Sequence, residues 1–240
     1  MRKPKPEPPT KQVILRRAPK GGLGAAKGGQ FIPAVLWQQE KAKAASEMPA
    51  LLTRLDDRLQ LLREVYEQNI ELGKQDKPSV KPISLTKIER QMKAAVRETY
   101  NDAFTLGKRA AGNLLGINPA DESAIKHTRI DEYRYMRGFL SDMRDGGGVM
   151  SYEKRMTYYA MAARELYWLG WVLADLSKSR KISWKMVPEA EHCADCLRFA
   201  KHGPYSADSF WSDVASYGYL PQSGRLACLG INCPCRLVES

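Results

Sequence analysis

The first 192 residues of the chain contain no cysteine, and all five cysteines lie between positions 193 and 235. Histidine is also scarce, with three residues among 240. Catalytic zinc sites commonly combine two or three histidines with a carboxylate base, and the chain has no His-Glu-x-x-His and no deaminase motif. The glycine-rich stretch 21–29 lacks the Lys-Ser/Thr ending of a phosphate loop. We therefore expect neither an enzyme nor a site for a small-molecule substrate.

Long hydrophobic runs are absent as well. The most apolar stretch, 166–174, has nine residues between the charged Glu165 and Asp175, whereas a membrane span needs about 18 or more. No apolar segment follows the basic N-terminus, as a secretory signal would require. We expect a soluble protein that is made in a cytoplasm and does not bind a membrane. In that reducing compartment an odd, clustered set of cysteines favours metal ligands over disulfides.

The positive charge is unevenly distributed. The formal net charge is +11, and residues 1–30 hold eight basic residues against Glu7 alone. This segment is also rich in proline and glycine, so it cannot bury enough apolar surface to offset the entropy of ordering it. We predict a flexible basic arm, either a solvated tail or a segment that docks on protein or nucleic acid. The last 60 residues, in contrast, carry no net charge.

Residues 31–180 show helical periodicity and predict an elongated, mainly α-helical domain. Apolar residues recur at spacings of three and four, as in the seam of Leu52, Leu55 and Leu59. Asn118, followed by Pro119 and acidic residues, predicts a helix start. The helix predicted over 151–177 is apolar on two faces, which indicates either a central core helix or a surface for a partner.

The pattern changes after position 180. The segment 182–187 is rich in strand-forming residues, and 235–239 can be its partner strand. Between them, Ser206 and Gly218 are placed to begin and to end a short helix. Residues 181–240 therefore predict a small α+β module, described here as a zinc-knuckle module because of its cysteines.

The spacing Cys193-x-x-Cys196 is typical of a knuckle in which two thiolates face one tetrahedral ion. Cys228, Cys233 and Cys235 can supply the rest, and His192 and His202 are further donors. We predict a structural zinc ion held by four of the five cysteines: Cys193, Cys196 and Cys233, with Cys228 or Cys235 as the fourth. A pair spaced Cys-x-Cys seldom directs both thiols at one ion. The alternative is a set of reduced, buried thiols or a late disulfide.

The order of features in the last 55 residues resembles a known family. These features are Trp184 in a strand, "CADC" at 193–196, "GPY" at 203–205, "LPQSGRLAC" at 220–228 and "CPCRL" at 233–237. They are similar to the C-terminal module of minor head proteins of tailed bacteriophages, the head morphogenesis group that includes the phage Mu F-like proteins. The helix "RETYNDAFTLGKRA" at 97–110 also resembles one in that family.

The resemblance implies a structural minor capsid protein. It would associate with the portal or the major capsid protein inside the head, and take part in head assembly and possibly in DNA packaging or ejection. Its location would be the virion, at the capsid interior or the portal vertex, after synthesis in the bacterial host cytoplasm. The basic arm could contact packaged DNA through phosphates without sequence preference. The alternative function is a zinc-containing nucleic-acid-binding protein, although a DNA-reading module should carry its own basic patch.

Overall fold

A computed structural model describes residues 34–74, 85–145, 150–174, 181–230 and 233–240. The predicted arm, 1–30, lies outside these ranges. Four long helices come first, followed by a small mixed region, so the expected mainly α-helical architecture with a small sheet is confirmed. Within the described ranges, no helix combines the length and apolar character needed to cross a membrane.

The helical part, residues 34–174, consists of α1 (Ala34–Lys74), α2 (Leu85–Ala110), α3 (Pro119–Asp145) and α4 (Tyr152–Leu173). The predicted helix start at Asn118 is confirmed, because its side-chain oxygen accepts the N–H groups of Ala120 at 2.8 Å and Asp121 at 2.9 Å. In return, the Asp121 Oδ2 atom accepts a hydrogen bond from the Asn118 N–H at 2.9 Å. This reciprocal cap fixes where α3 begins.

Two glycines bring α2 and α4 into backbone contact. A methyl group on Gly107 would lie 1.8 Å from the Tyr167 carbonyl oxygen, and one on Gly170 would lie 2.2 Å from the Phe104 carbonyl oxygen. Neither helix therefore tolerates a side chain at the crossing. The pair places α4 at the centre of the helical part.

The two-faced character of α4 is explained by the core of the protein itself. Met161, Trp171 and Val172 from its second apolar face are buried, together with Tyr159 and Leu166 from the first. Tyr158 is the exposed member. Of the two interpretations of this helix, the structure favours the central core helix.

The C-terminal module, residues 181–240, is built on a three-stranded antiparallel sheet in the order β2-β1-β3. Its strands are β1 (Lys181–Lys185), β2 (Tyr205–Ser206) and β3 (Arg236–Glu239), and its helices are α5 (Ala194–His202), α6 (Ala207–Asp213) and a short 3-10 helix (Ala215–Tyr217). Trp184 pairs with Leu237, and Ile182 pairs with both Tyr205 and Glu239. The predicted strand pair is confirmed, and Ser206 caps α6 as expected by accepting the Ser209 N–H.

The apolar cores of the helical part and the module are continuous, since their buried residues form one cluster. A polar contact crosses the same boundary, where the Ser223 hydroxyl lies 3.1 Å from Glu165 of α4. The module therefore rests on α4 through both apolar and polar contacts.

Candidate metal centre

Three cysteines from two segments of the module lie close together. Cys196 lies in the first turn of α5, Cys233 in the loop before β3, and Cys235 immediately before Arg236, where β3 starts. Their sulfur atoms all lie within 4.8 Å of one another, and all three residues are buried. We call these residues the thiol trio.

The spacing within and around the trio fits tetrahedral coordination. The Sγ atoms of Cys196 and Cys233 are 3.9 Å apart, and those of Cys193 and Cys196 are 3.5 Å apart. Two thiolates on one tetrahedral zinc ion stand about 3.8 Å apart, because each Zn–S bond is about 2.3 Å. A disulfide would bring two sulfurs to about 2.05 Å. All five cysteines are free thiols, and the trio could hold a metal ion.

Electrostatics in the trio also favour a bound cation. The Cys196 and Cys233 thiols, and then the Trp184 indole N–H, act as donors to the Cys235 sulfur and lower the pKa of Cys235 to about 3. The same contacts with Cys233 and Cys235 raise the pKa of Cys196. Three sulfurs this close must therefore share protons among themselves. A divalent cation bound here would take the place of those protons, since the thiolate is the form that binds metal.

Trp184 also lies close to the trio. Its indole Nε1–H is buried and has no hydrogen-bond partner among the described residues. The indole is near enough to the Cys235 sulfur to lower the pKa of that thiol. A buried donor without an acceptor is costly, and a metal-bound thiolate is a far better acceptor than a neutral thiol. The residues present therefore fit a metal ion.

The remaining two cysteines lie beside the trio. Burial raises the pKa of the Cys193 thiol, but the backbone N–H groups of Cys196 and Cys228 outweigh that effect, so its pKa is lowered overall. Burial, with a contact to the Cys193 thiol, raises the pKa of Cys228 to about 12. The Cys193 and Cys228 thiols therefore contact each other. The Cys193 sulfur also contacts the Cys196 sulfur of the trio, whereas Cys228 lies outside the trio.

The ligand set expected from the sequence is therefore only partly reproduced. Cys196 and Cys233 belong to the trio as predicted, and Cys193 adjoins it. Of the two candidates left open for the fourth ligand, Cys235 lies in the trio beside Cys233, although a Cys-x-Cys pair seldom directs both thiols at one ion. Pro234 separates them in an irregular segment and β3 starts only at Arg236, so the geometry of alternate strand residues does not apply.

The Cys193-x-x-Cys196 motif forms the start of a helix. Cys193 is the N-cap of α5 and Cys196 lies within that helix, and their sulfurs are 3.5 Å apart. Sequence reasoning missed α5. The signal was the spacing of the apolar residues Cys196, Phe199 and Ala200, which face the core.

Asp195 has a structural role in the module. Its Oδ2 accepts the Ala227 N–H at 2.8 Å, and its Oδ1 pairs with Arg198 at 3.0 Å. The carboxylate joins α5 to the loop that carries Cys228. It is therefore already occupied by structural partners and is a poor candidate for a catalytic base.

No protein-family model, no curated protein and no solved structure matches the chain. The resemblance to phage head proteins consequently depends on the motifs quoted above, and on whether those motifs belong to one structural unit.

Proposed function

We propose that the chain is a structural minor capsid protein of a tailed bacteriophage that acts in head morphogenesis. The observation that supports this best is the convergence of the family-like motifs on one unit. Trp184 in β1 pairs with Leu237 of the terminal motif, and Tyr205 of "GPY" pairs with Ile182. The two cysteine motifs meet in the thiol trio. Motifs spread over 55 residues thus serve one sheet and one cluster, as expected for a single structural module.

We further propose that the trio holds one structural zinc ion. Its donors are soft thiolates at tetrahedral spacing, which is the chemistry that zinc prefers among structural sites. The module has short strands and helices, so a bound ion would supply folding free energy that its small core cannot. The ion would make the C-terminal module rigid, so that it could dock on a partner protein.

The proposed partners are the portal and the major capsid protein, with the basic arm available to reach packaged DNA. The module is neutral overall, which suits a protein–protein contact better than DNA readout. The proposed location is the virion, at the capsid interior or the portal vertex.

Quantitative mass spectrometry of purified virions tests this proposal. The virions are those of the phage whose genome carries this chain, separated into empty proheads and DNA-filled heads. We expect the protein in both fractions, at a few copies per portal. Its absence from both fractions, while it accumulates free in the lysate, would refute the capsid assignment.

A binding experiment separates the alternative function. We expect the full chain to bind duplex DNA weakly, with strong salt dependence, and a chain without residues 1–30 to lose that binding. Sequence-selective binding that survives removal of the arm would instead identify a nucleic-acid-binding protein.

A further inference from the structure

The thiol trio supplies three donors, whereas a structural zinc site has four. Two side chains adjoin the trio at coordination-like distances. The Cys193 Sγ lies 3.5 Å from the Cys196 Sγ, and the His192 Nδ1 lies 3.4 Å from the Cys235 Sγ. On one tetrahedral zinc ion, an imidazole nitrogen and a thiolate stand about 3.5 Å apart, because Zn–N is about 2.0–2.1 Å and Zn–S about 2.3 Å. Each neighbour is therefore at ligand distance from one trio sulfur, but neither lies within 4.8 Å of all three, so a fourth ligand has to move toward the trio when an ion binds.

The hydrogen bonding of His192 decides between them. The His192 Nε2 lies 2.7 Å from the Val187 carbonyl oxygen, so Nε2 carries the proton and donates it. The Nδ1 atom then carries a lone pair, and it is this atom that faces the Cys235 sulfur. Ligating histidines almost always donate their other ring N–H to a carbonyl or carboxylate, which fixes the tautomer and the ring orientation. His192 already has that arrangement.

The backbone between β1 and α5 holds the imidazole in place. The Val187 carbonyl accepts the Ala190 N–H at 3.1 Å as well as the His192 ring N–H. One carbonyl therefore closes the turn after β1 and orients the ring. Such pre-organisation reduces the entropy lost when a side chain becomes a ligand.

Cys193 lacks such an orienting contact. It is the N-cap of α5, but its side chain makes no cap hydrogen bond. Its sulfur meets the trio at Cys196, without a second bond like that between the His192 ring and the Val187 carbonyl.

We infer that the Nδ1 atom of His192 is the fourth ligand, which gives a site of three cysteines and one histidine with Cys193 and Cys228 left outside as a thiol pair. This inference rests on the proposed zinc site. The sequence does not point to His192 as a metal ligand, because the five cysteines are already more than the four ligands that one zinc ion needs.

X-ray absorption at the zinc edge of the full-length, zinc-loaded protein tests the ligand set. We expect three sulfur neighbours and one nitrogen neighbour. His202→Ala removes an exposed histidine of the same module and is the matched control, for which the spectrum should stay the same. His192→Ala should lose the nitrogen neighbour and weaken zinc affinity by more than about 100-fold, beyond the 10–100-fold typical of outer-shell changes. Four sulfur neighbours in the unaltered protein would overturn the inference while leaving the zinc site intact.

Thiol alkylation of the zinc-loaded protein, mapped by peptide mass spectrometry, gives a second readout. We expect modification at Cys193 and Cys228 and protection at the three trio cysteines. Protection of Cys193 as well would assign it the fourth position and overturn the inference. A protein that binds no zinc, with all five thiols modified, would refute the zinc site itself, so the two failures are distinguishable.

Discussion

The helical part and the C-terminal module are stabilised by different means. In the helical part, long apolar faces pack directly, and Gly107 and Gly170 let two backbones touch. In the module, β1, β2 and β3 are five, two and four residues long, and the segments between them converge on sulfur atoms. The long helices of the first part can be stabilised by regular side-chain packing. The short elements of the module would be stabilised by the proposed metal coordination.

Removing the proposed metal ion should have the largest effect. It should destabilise the C-terminal module and leave the helical part folded. Structural zinc contributes an apparent binding free energy on the order of 10 kcal/mol in small modules. After treatment with a zinc chelator we expect fast hydrogen exchange at the paired amides of β1 and β3, with slow exchange retained in α2 and α4. Hydrogen exchange with mass spectrometry measures both regions in one sample.

Two variants control for the chelator. Cys196→Ser should reproduce its effect on the module, and Cys228→Ser should leave exchange unchanged, since Cys228 lies outside the trio. Equal exchange in the module before and after chelation would contradict the proposed zinc site.

The second prediction concerns the buried ion pair of the helical part. Lys108 and Asp121 are both buried, with Nζ 2.6 Å from Oδ2, and Lys108 also donates to the Gly116 carbonyl. Asp121→Ala leaves an uncompensated buried charge, so we expect a loss of about 3–5 kcal/mol in the free energy of unfolding. Urea unfolding followed by helix circular dichroism measures the loss.

An exposed ion pair provides the control for Asp121. Arg58 and Glu98 lie 2.7 Å apart on the surface between α1 and α2. Glu98→Ala should cost no more than about 1 kcal/mol. Equal losses in the two variants would mean that burial of the Lys108 pair has no energetic consequence.

The third prediction concerns the crossing of α2 and α4. Gly170→Ala places a methyl group against the Phe104 carbonyl and should destabilise the protein by about 3 kcal/mol. Gly138→Ala in α3 is the matched control, because nothing lies within 4 Å of the added carbon. That variant should stabilise the helix by about 0.5–1 kcal/mol. Thermal unfolding of both variants should shift in opposite directions, and a shift in the same direction would contradict the close backbone contact.

The last prediction is a pH dependence that originates in the helical part. Burial, with the nearby carboxyl groups of Glu165 and Asp131 adding to it, raises the pKa of Glu132 from its ordinary 4.5 to about 8. Between these values the folded protein keeps the proton and the unfolded chain releases it. Stability therefore falls as pH rises from about 4.5 to about 8, by at most about 1.4 kcal/mol per pH unit, and is level above that.

Glu132→Gln removes this titration. We expect urea unfolding at pH 5, 6.5 and 8 to show a shallower slope for that variant, with a residual slope because burial also raises the pKa of Glu165. Glu122→Gln, an exposed change on the same helix, should keep the original slope. An unchanged slope in Glu132→Gln would place the titration elsewhere.

The sequence predicted the elements that have a strong local signal. Asn118 with Pro119 marked the start of α3, and the segments around Trp184 and Leu237 were identified as paired strands. It could not predict α5, since the Cys-x-x-Cys spacing is compatible with both a knuckle and the first turn of a helix. The sequence also left Cys228 and Cys235 open as the fourth ligand, because the choice depends on the irregular backbone around Pro234.

The role of Trp184 was equally hidden. A tryptophan in a strand is ordinary, and only its pairing with Leu237 places its indole N–H near Cys235. The orientation of His192 depends on the Val187 carbonyl, five residues away in a turn that has no sequence signature. The positions of both side chains depend on tertiary contacts, which cannot be predicted from a local sequence pattern.

Native mass spectrometry of the full-length protein, purified from zinc-supplemented cells, would show whether the module binds a metal ion. We expect a mass increase of one zinc ion per chain, present also in Cys228→Ser and absent from Cys196→Ser. A protein that carries no metal, yet whose β1 and β3 amides remain protected from exchange, would contradict the claim that a metal ion stabilises the C-terminal module.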